Sequence, residues 1–142
     1  MSIINANNRK KGASVVEFAF VLPLLLVLVF GIIEFGIILF DKAVLTNACR
    51  EGARAGIVVG PARLTDAEIT ARIESYCQNY LITFGSAINP VITFPNPPAQ
   101  KTFGNDLTVK VTYDYDFLLL PGFIPGVPNL LTLEAQTVMR YE

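Results

Sequence analysis

Polar and apolar positions divide the chain into a short polar leader, a long apolar run and a mixed remainder. Residues 1–12 are polar and then basic, closing on Arg9, Lys10, Lys11 and Gly12. From Phe18 to Ile33 no residue carries a charge. At about 1.5 Å of helical rise per residue this run spans roughly 24 Å. Its continuation through Glu34 to Phe40 reaches roughly 35 Å, enough to cross a bilayer core. The pattern predicts a membrane-crossing helix; the alternative is a buried core helix, for which the rest of the chain is small. Beyond the run, Ala43, Val44, Ala48, Cys49, Ala53 and Ile57 recur at helical spacing, with Asp41, Lys42, Arg50, Glu51 and Arg54 largely off that face. The helix is expected to end near Gly56–Gly60, before Pro61. Pro23 removes a backbone hydrogen bond and predicts a kink.

A second helix is announced by the stretch TDAE, with Thr65 as N-cap and Glu68 as its capping-box partner. Ile69, Ile73, Tyr76, Cys77, Tyr80 and Leu81 then form an apolar face, and Gly85 is the expected stop. That face should pack on the outer half of the first helix. Strands are predicted at 91–94, 107–117 and 130–142. The middle one alternates strictly, with Leu107, Val109, Val111, Tyr113, Tyr115 and Phe117 opposite Thr108, Lys110, Thr112, Asp114 and Asp116. Between the last two strands, residues 118–129 hold three prolines and two glycines and read as a loop. The fold class is α+β: a long N-terminal helix continuing into a head with a second helix and a small antiparallel sheet. The expected divisions are a disordered leader at 1–12, the helix and its extension at 13–60, and the head at 61–142.

Composition sharpens this picture. Hydrophobic residues make up 52% of the chain and charged residues 16%, against about 25% charged in an average soluble domain. The basic residues before the run put the N-terminus in the cytoplasm by the positive-inside rule and the head on the outer side. No small-residue cleavage pattern follows the run, so it reads as a single-pass anchor rather than a secretory signal. The formal net charge is −1, and removal of the basic leader leaves the remainder more acidic. Nothing here offers a footprint for nucleic acid. Cys49 and Cys77 fall on the outer side and on facing helix faces. In an oxidising compartment they are candidates for one disulfide; two small buried hydrophobes is the other reading.

Candidate chemistry is sparse. The chain has no histidine, and it lacks nucleophile-elbow, P-loop and dinucleotide motifs. Asp114 and Asp116 share a solvated strand face. The sequence argues against an enzyme, a cofactor or a metal site.

The charged residue that needs an explanation is Glu17, close to the start of the apolar run. The pattern is a basic leader, a glycine, four residues, a glutamate and a long apolar helix. It resembles the signal of type IV pilins, and most closely the TadE-like pseudopilins of the tight-adherence (type IVc) pilus system. The resembling residues are RKKGASVVEFAFVLPLLLVLVFGIIEFG (9–36) and ACREGARAG (48–56). The resemblance covers the N-terminal part well and the remainder in outline. It implies cleavage after Gly12 by a prepilin peptidase, with Ala13 as the new N-terminus. It also implies a head in the periplasm, an anchor in a bacterial inner membrane, and a role in building or priming an extracellular pilus. The implied partners are the peptidase, other pilins and pseudopilins, an inner-membrane assembly platform and the bilayer. An uncleaved, membrane-anchored periplasmic binding or scaffold domain remains the alternative.

Electrostatics gives Glu17 a reason within that scheme. Cleavage would release an α-amine at Ala13 with a pKa of about 8. At about 4 Å and an effective dielectric near 20, its attraction to a carboxylate is about 4 kcal/mol. A central acidic residue costs about 3 kcal/mol on insertion scales. A carboxylate that is expensive alone is therefore tolerated when paired with a neighbouring subunit's N-terminus. Glu34 is a second carboxylate, expected near the outer interface, either as an intramembrane contact or snorkelling to the surface. Phe123 and Ile124, in the Pro-rich loop, are candidates for docking a partner.

Overall fold

The computed structural model describes residues 6–58, 63–85, 87–95, 101–118, 126 and 128–141, with side chains in the first segment from Gly12 onward. Helix α1 runs unbroken from Ala6 to Ile57, 52 residues. The leader was expected to be disordered, yet residues 6–12 are helical. The physical reason is propagation: once the long helix has nucleated, adding asparagine, arginine and lysine residues at its end is nearly free. Gly12 opposes this by only about 1 kcal/mol. Pro23 lies inside α1 without ending it.

At its far end α1 stops at Ile57, where the sequence had placed the exit. The guanidinium of Arg63 donates to the Ile57 carbonyl at 3.1 Å and lies 4.7 Å over the ring of Tyr141. One side chain thus caps the helix and ties its exit to the end of the sheet.

Helix α2 spans Asp66–Tyr80 and carries the expected capping box. The Thr65 N–H donates to Glu68 Oε2 at 2.7 Å, and the Glu68 N–H donates to Thr65 Oγ1 at 3.3 Å. Lys101 fixes the same end, pairing with Asp66 at 2.7 Å and donating to the Leu64 carbonyl at 2.8 Å. Ile69, Ile73 and Cys77 are its buried face. The helix ends at Tyr80, before Gly85, because Leu81 turns extended and the next N–H is taken by α1, as described below. Gly85 sits in the following bend with φ +96.

Three antiparallel strands complete the head in the order β1-β2-β3: β1 at Val91–Thr93, β2 at Asp106–Asp116 and β3 at Leu130–Arg140. Register pairs Val111 with Ala135, Tyr113 with Leu133 and Asp106 with Arg140, the last also an ion pair at 2.9 Å. The alternation read in β2 is realised: Leu107, Val109, Val111, Tyr113 and Tyr115 are buried. Thr108 is buried as well. The outer half of α1 lies against β2 and β3 on one side and carries α2 on another, so it is the centre of the head's core.

Candidate functional site: the anchor helix and its joint with the head

The first half of α1 is bare. No residue from Gly12 to Ile33 is buried, and Val15, Phe18, Phe20, Leu24 and Ile32 are each more than half exposed. This rules out the core-helix alternative, since no part of the most apolar window lies inside the fold. The helix is long and apolar enough to cross a membrane. The bare stretch 13–33 spans about 31 Å at helical rise, which matches a bilayer core of about 30 Å. Glu17 is its sole charged residue and is exposed, as are Gly12 and Ala13. A Cβ built on Gly12 would meet nothing within 4 Å, so this point of the helix is open to approach from outside.

The head begins at Glu34. That carboxylate is only 3% exposed and accepts a hydrogen bond from the backbone N–H of Leu118, just past the end of β2. The span predicted from the apolar run alone reached further along the helix. The head instead covers one face of α1 from this residue on, so Glu34 is a joint residue between anchor and head. Its side chain is turned to the head rather than out to the surroundings.

Two turns on, Asp41 repeats the arrangement. It is fully buried, and its Oδ1 accepts the N–H of Ile82 at 3.0 Å, just past the end of α2. Each acid therefore receives a backbone N–H that a regular element has left unused, which meets the demand that buried donors be satisfied. Burial pushes the Asp41 carboxyl above its ordinary range, against the Ile82 hydrogen bond, which lowers it. The same surroundings push the Tyr115 hydroxyl up to about 12, first through burial and then through the negative charges of Glu34 and Asp41. The sequence pattern places Asp41 on the polar side of the helix, and the structure buries it. The available signal was its spacing of seven from Glu34 on the face that also carries Ile38, Leu45 and Ala48.

Beyond the acids, α1 presents a seam of small residues: Ala48, Cys49, Gly52, Ala53 and Gly56. A Cβ on Gly52 would come within 2.5 Å of Ile73, and one on Gly56 within 2.6 Å of Leu107 and 2.7 Å of Ile69. These two glycines let α2 and β2 reach the α1 backbone, a close approach of the small-xxx-small kind. The sequence pattern marks Gly56 only as the helix end and does not mark Gly52, although their spacing of four is visible in GARAG.

Both cysteines are buried in this core, and both are free thiols. The disulfide considered from the sequence is not formed. Although the two helix faces meet as expected, the Cys49 Sγ donates to the Ala135 carbonyl at 3.3 Å and is 3.8 Å from that of Val109. It is turned to the sheet. Burial pushes both thiols up to about 11. Phe123 and Ile124 lie outside the described residues. Among the described residues no group of histidine, cysteine, aspartate or glutamate side chains could hold a metal.

Comparison with known proteins bears on the helix. Residues 12–54 match the family model described as TadE-like protein. The match starts at Gly12, runs through Glu17 and both joint acids, and ends two residues past Gly52. No curated protein and no solved structure matches the chain. The N-terminal helix is therefore TadE-like, consistent with a TadE-like pilus protein and with membrane anchoring.

Proposed function

We propose that the chain is a minor pilin or pseudopilin that takes part in assembling a tight-adherence pilus. The observation that carries this reading is the coincidence of the TadE-like match with the bare helix: the matched segment opens at Gly12, and its first apolar stretch holds a single acid, Glu17. A prepilin peptidase working from the cytoplasmic side cuts after Gly12 and releases the amine of Ala13. The anchor stays in the bacterial inner membrane, and the head faces the periplasm. Other pilins and pseudopilins and an inner-membrane assembly platform are its partners.

The chemistry assigned to Glu17 is charge neutralisation within hydrocarbon. Ala13 and Glu17 lie four residues apart, hence on one helix face. The released amine can reach its own carboxylate or one on an adjacent subunit. Pairing across subunits fixes the relative depth of two helices, because any other register leaves a carboxylate alone in the bilayer. Glu17→Ala is expected to leave processing intact and to reduce piliation; normal piliation would count against this role.

A second reading, an uncleaved anchor for a periplasmic binding or scaffold head, is favoured by one observation. The helix runs without a break through Gly12, whereas a peptidase needs the bond out of the helix. N-terminal sequencing of the protein from membranes separates the two. The pilin reading requires a start at ASVVEF, and the anchor reading requires residues 1–12 to be retained.

A further inference from the structure

At the joint, just where the bare helix meets the head, lies a cleft of about 170 Å³ lined by Phe30, Ile33, Glu34, Ile37, Phe84 and Leu118. Phe30, Ile33 and Ile37 come from α1, Phe84 from the segment after α2, and Leu118 from the segment after β2. Its surface is almost wholly apolar, because the one charged wall residue, Glu34, is turned to the Leu118 N–H. Phe84 and Leu118 are each half exposed despite facing this apolar slot.

We propose that the cleft holds an acyl chain of a bilayer phospholipid. This rests on the membrane reading of α1 and goes beyond the pilin assignment. Continuity is the first argument. Phe30 and Ile33 close the bare stretch 13–33, so the cleft opens onto the helix surface that the bilayer covers and lies at the outer edge of the hydrocarbon. Size is the second. A volume of about 170 Å³ is too small for even one turn of a helix about 10 Å across, whereas a few methylenes of a hydrocarbon chain fit in it. Chemistry is the third: among the described residues the walls offer apolar contact and no open cation, which suits a hydrocarbon tail and gives nothing to a phosphate. A lipid held there would seat the head on the membrane surface and fix the height at which α1 emerges.

The chain contains no tryptophan, so a single introduced indole reports its own surroundings. The full chain is placed in vesicles of phosphatidylcholine, part of it brominated either midway along its acyl chains or close to the headgroup. Leu24→Trp, in the middle of the bare stretch, reports insertion itself. Phe84→Trp reports the cleft, and chain-placed bromine is expected to quench it more strongly than headgroup-placed bromine. Adding Ile33→Phe, at the half-exposed rim, or Ile37→Phe, deeper in, should fill the slot and remove that excess quenching while far-ultraviolet circular dichroism is unchanged. Quenching of Leu24→Trp with none of Phe84→Trp would overturn the lipid site and leave the membrane helix standing. Excess quenching that survives both filling variants would reduce the effect to simple proximity and overturn it too. A Phe84→Trp signal that follows the protein-to-lipid ratio rather than bromination would put a second copy in the cleft. Loss of quenching at Leu24→Trp would instead remove the membrane reading itself.

Discussion

The two halves of α1 are one continuous helix with two different surroundings, one bare and one packed. Residues 13–33 are apolar on every face, with one acid and no buried residue. From Glu34 to Ile57 the helix is one-sided, with two acids and a seam of small residues turned inward. In the first half no side chain is buried against the head. In the second a side chain's volume and hydrogen bonds must fit particular partners on α2 and the sheet. Chemically similar residues therefore have opposite meanings in the two halves. Glu17 is exposed and available to another molecule, whereas Glu34 and Asp41 are consumed in holding the head to the rod.

That contrast is most sharply tested by paired truncations. Leu45 is fully buried, and Leu45→Ala should destabilise the head by about 2–5 kcal/mol. Leu24→Ala, at a position 72% exposed in the bare half, should leave head stability unchanged. Chemical unfolding in detergent micelles, followed by circular dichroism, measures both. Equal effects would mean that the halves are not distinct.

Asp41 comes next. Asp41→Ala leaves the Ile82 N–H without its acceptor and should lower head stability by about 1–3 kcal/mol. Asp41→Asn keeps an acceptor and loses the charge. Because burial raises the Asp41 pKa in the folded state, its contribution is fully present below the unfolded value of about 3.9. It is lost as pH rises through the folded value. The parent protein should therefore lose head stability over that rise, and the Asp41→Asn variant should not share the loss. A parallel pH dependence in the two proteins would show that another group is responsible.

The glycines give a smaller version of the contrast, here between the packed and the open face of the second half. Gly52→Ala forces its new methyl against Ile73, at a cost of about 1–3 kcal/mol for overpacking. The gain of about 1 kcal/mol from replacing glycine in a helix offsets part of this. Gly36→Ala meets nothing within 4 Å and should be neutral or stabilising. Melting temperatures of the two variants, compared with the parent, decide this. The smallest effect is chemical. With burial holding both thiols near 11, a thiol reagent at neutral pH should find neither cysteine in the folded, unreduced protein and both after unfolding. Finding none after unfolding would restore the disulfide.

The legible features were those set by neighbours along the chain. The Thr65–Glu68 capping box and the alternation of β2 follow from local spacing, and both are realised. The bare helix was legible because a long uncharged run with a single acid has few readings. Asp41 was not, because its partner is a backbone N–H 41 residues away, and a charged residue beside an apolar stripe ordinarily faces water. Gly52 and Gly56 were not legible as contact points, because Ile69, Ile73 and Leu107, which press on them, lie far along the chain. The free thiols depend on which way a side chain turns between two packed faces. Helix periodicity does not carry that information.

The central claim is that α1 changes environment at Glu34. Single tryptophans placed in turn through residues 14–57, in vesicles, test it with an aqueous quencher and chain-brominated lipid as opposing probes. The expected profile has lipid quenching on all faces up to residue 33. From residue 34 it becomes protection from both probes that repeats with the helical period. Water access on one face within 14–33, or lipid quenching on all faces beyond Asp41, would contradict it.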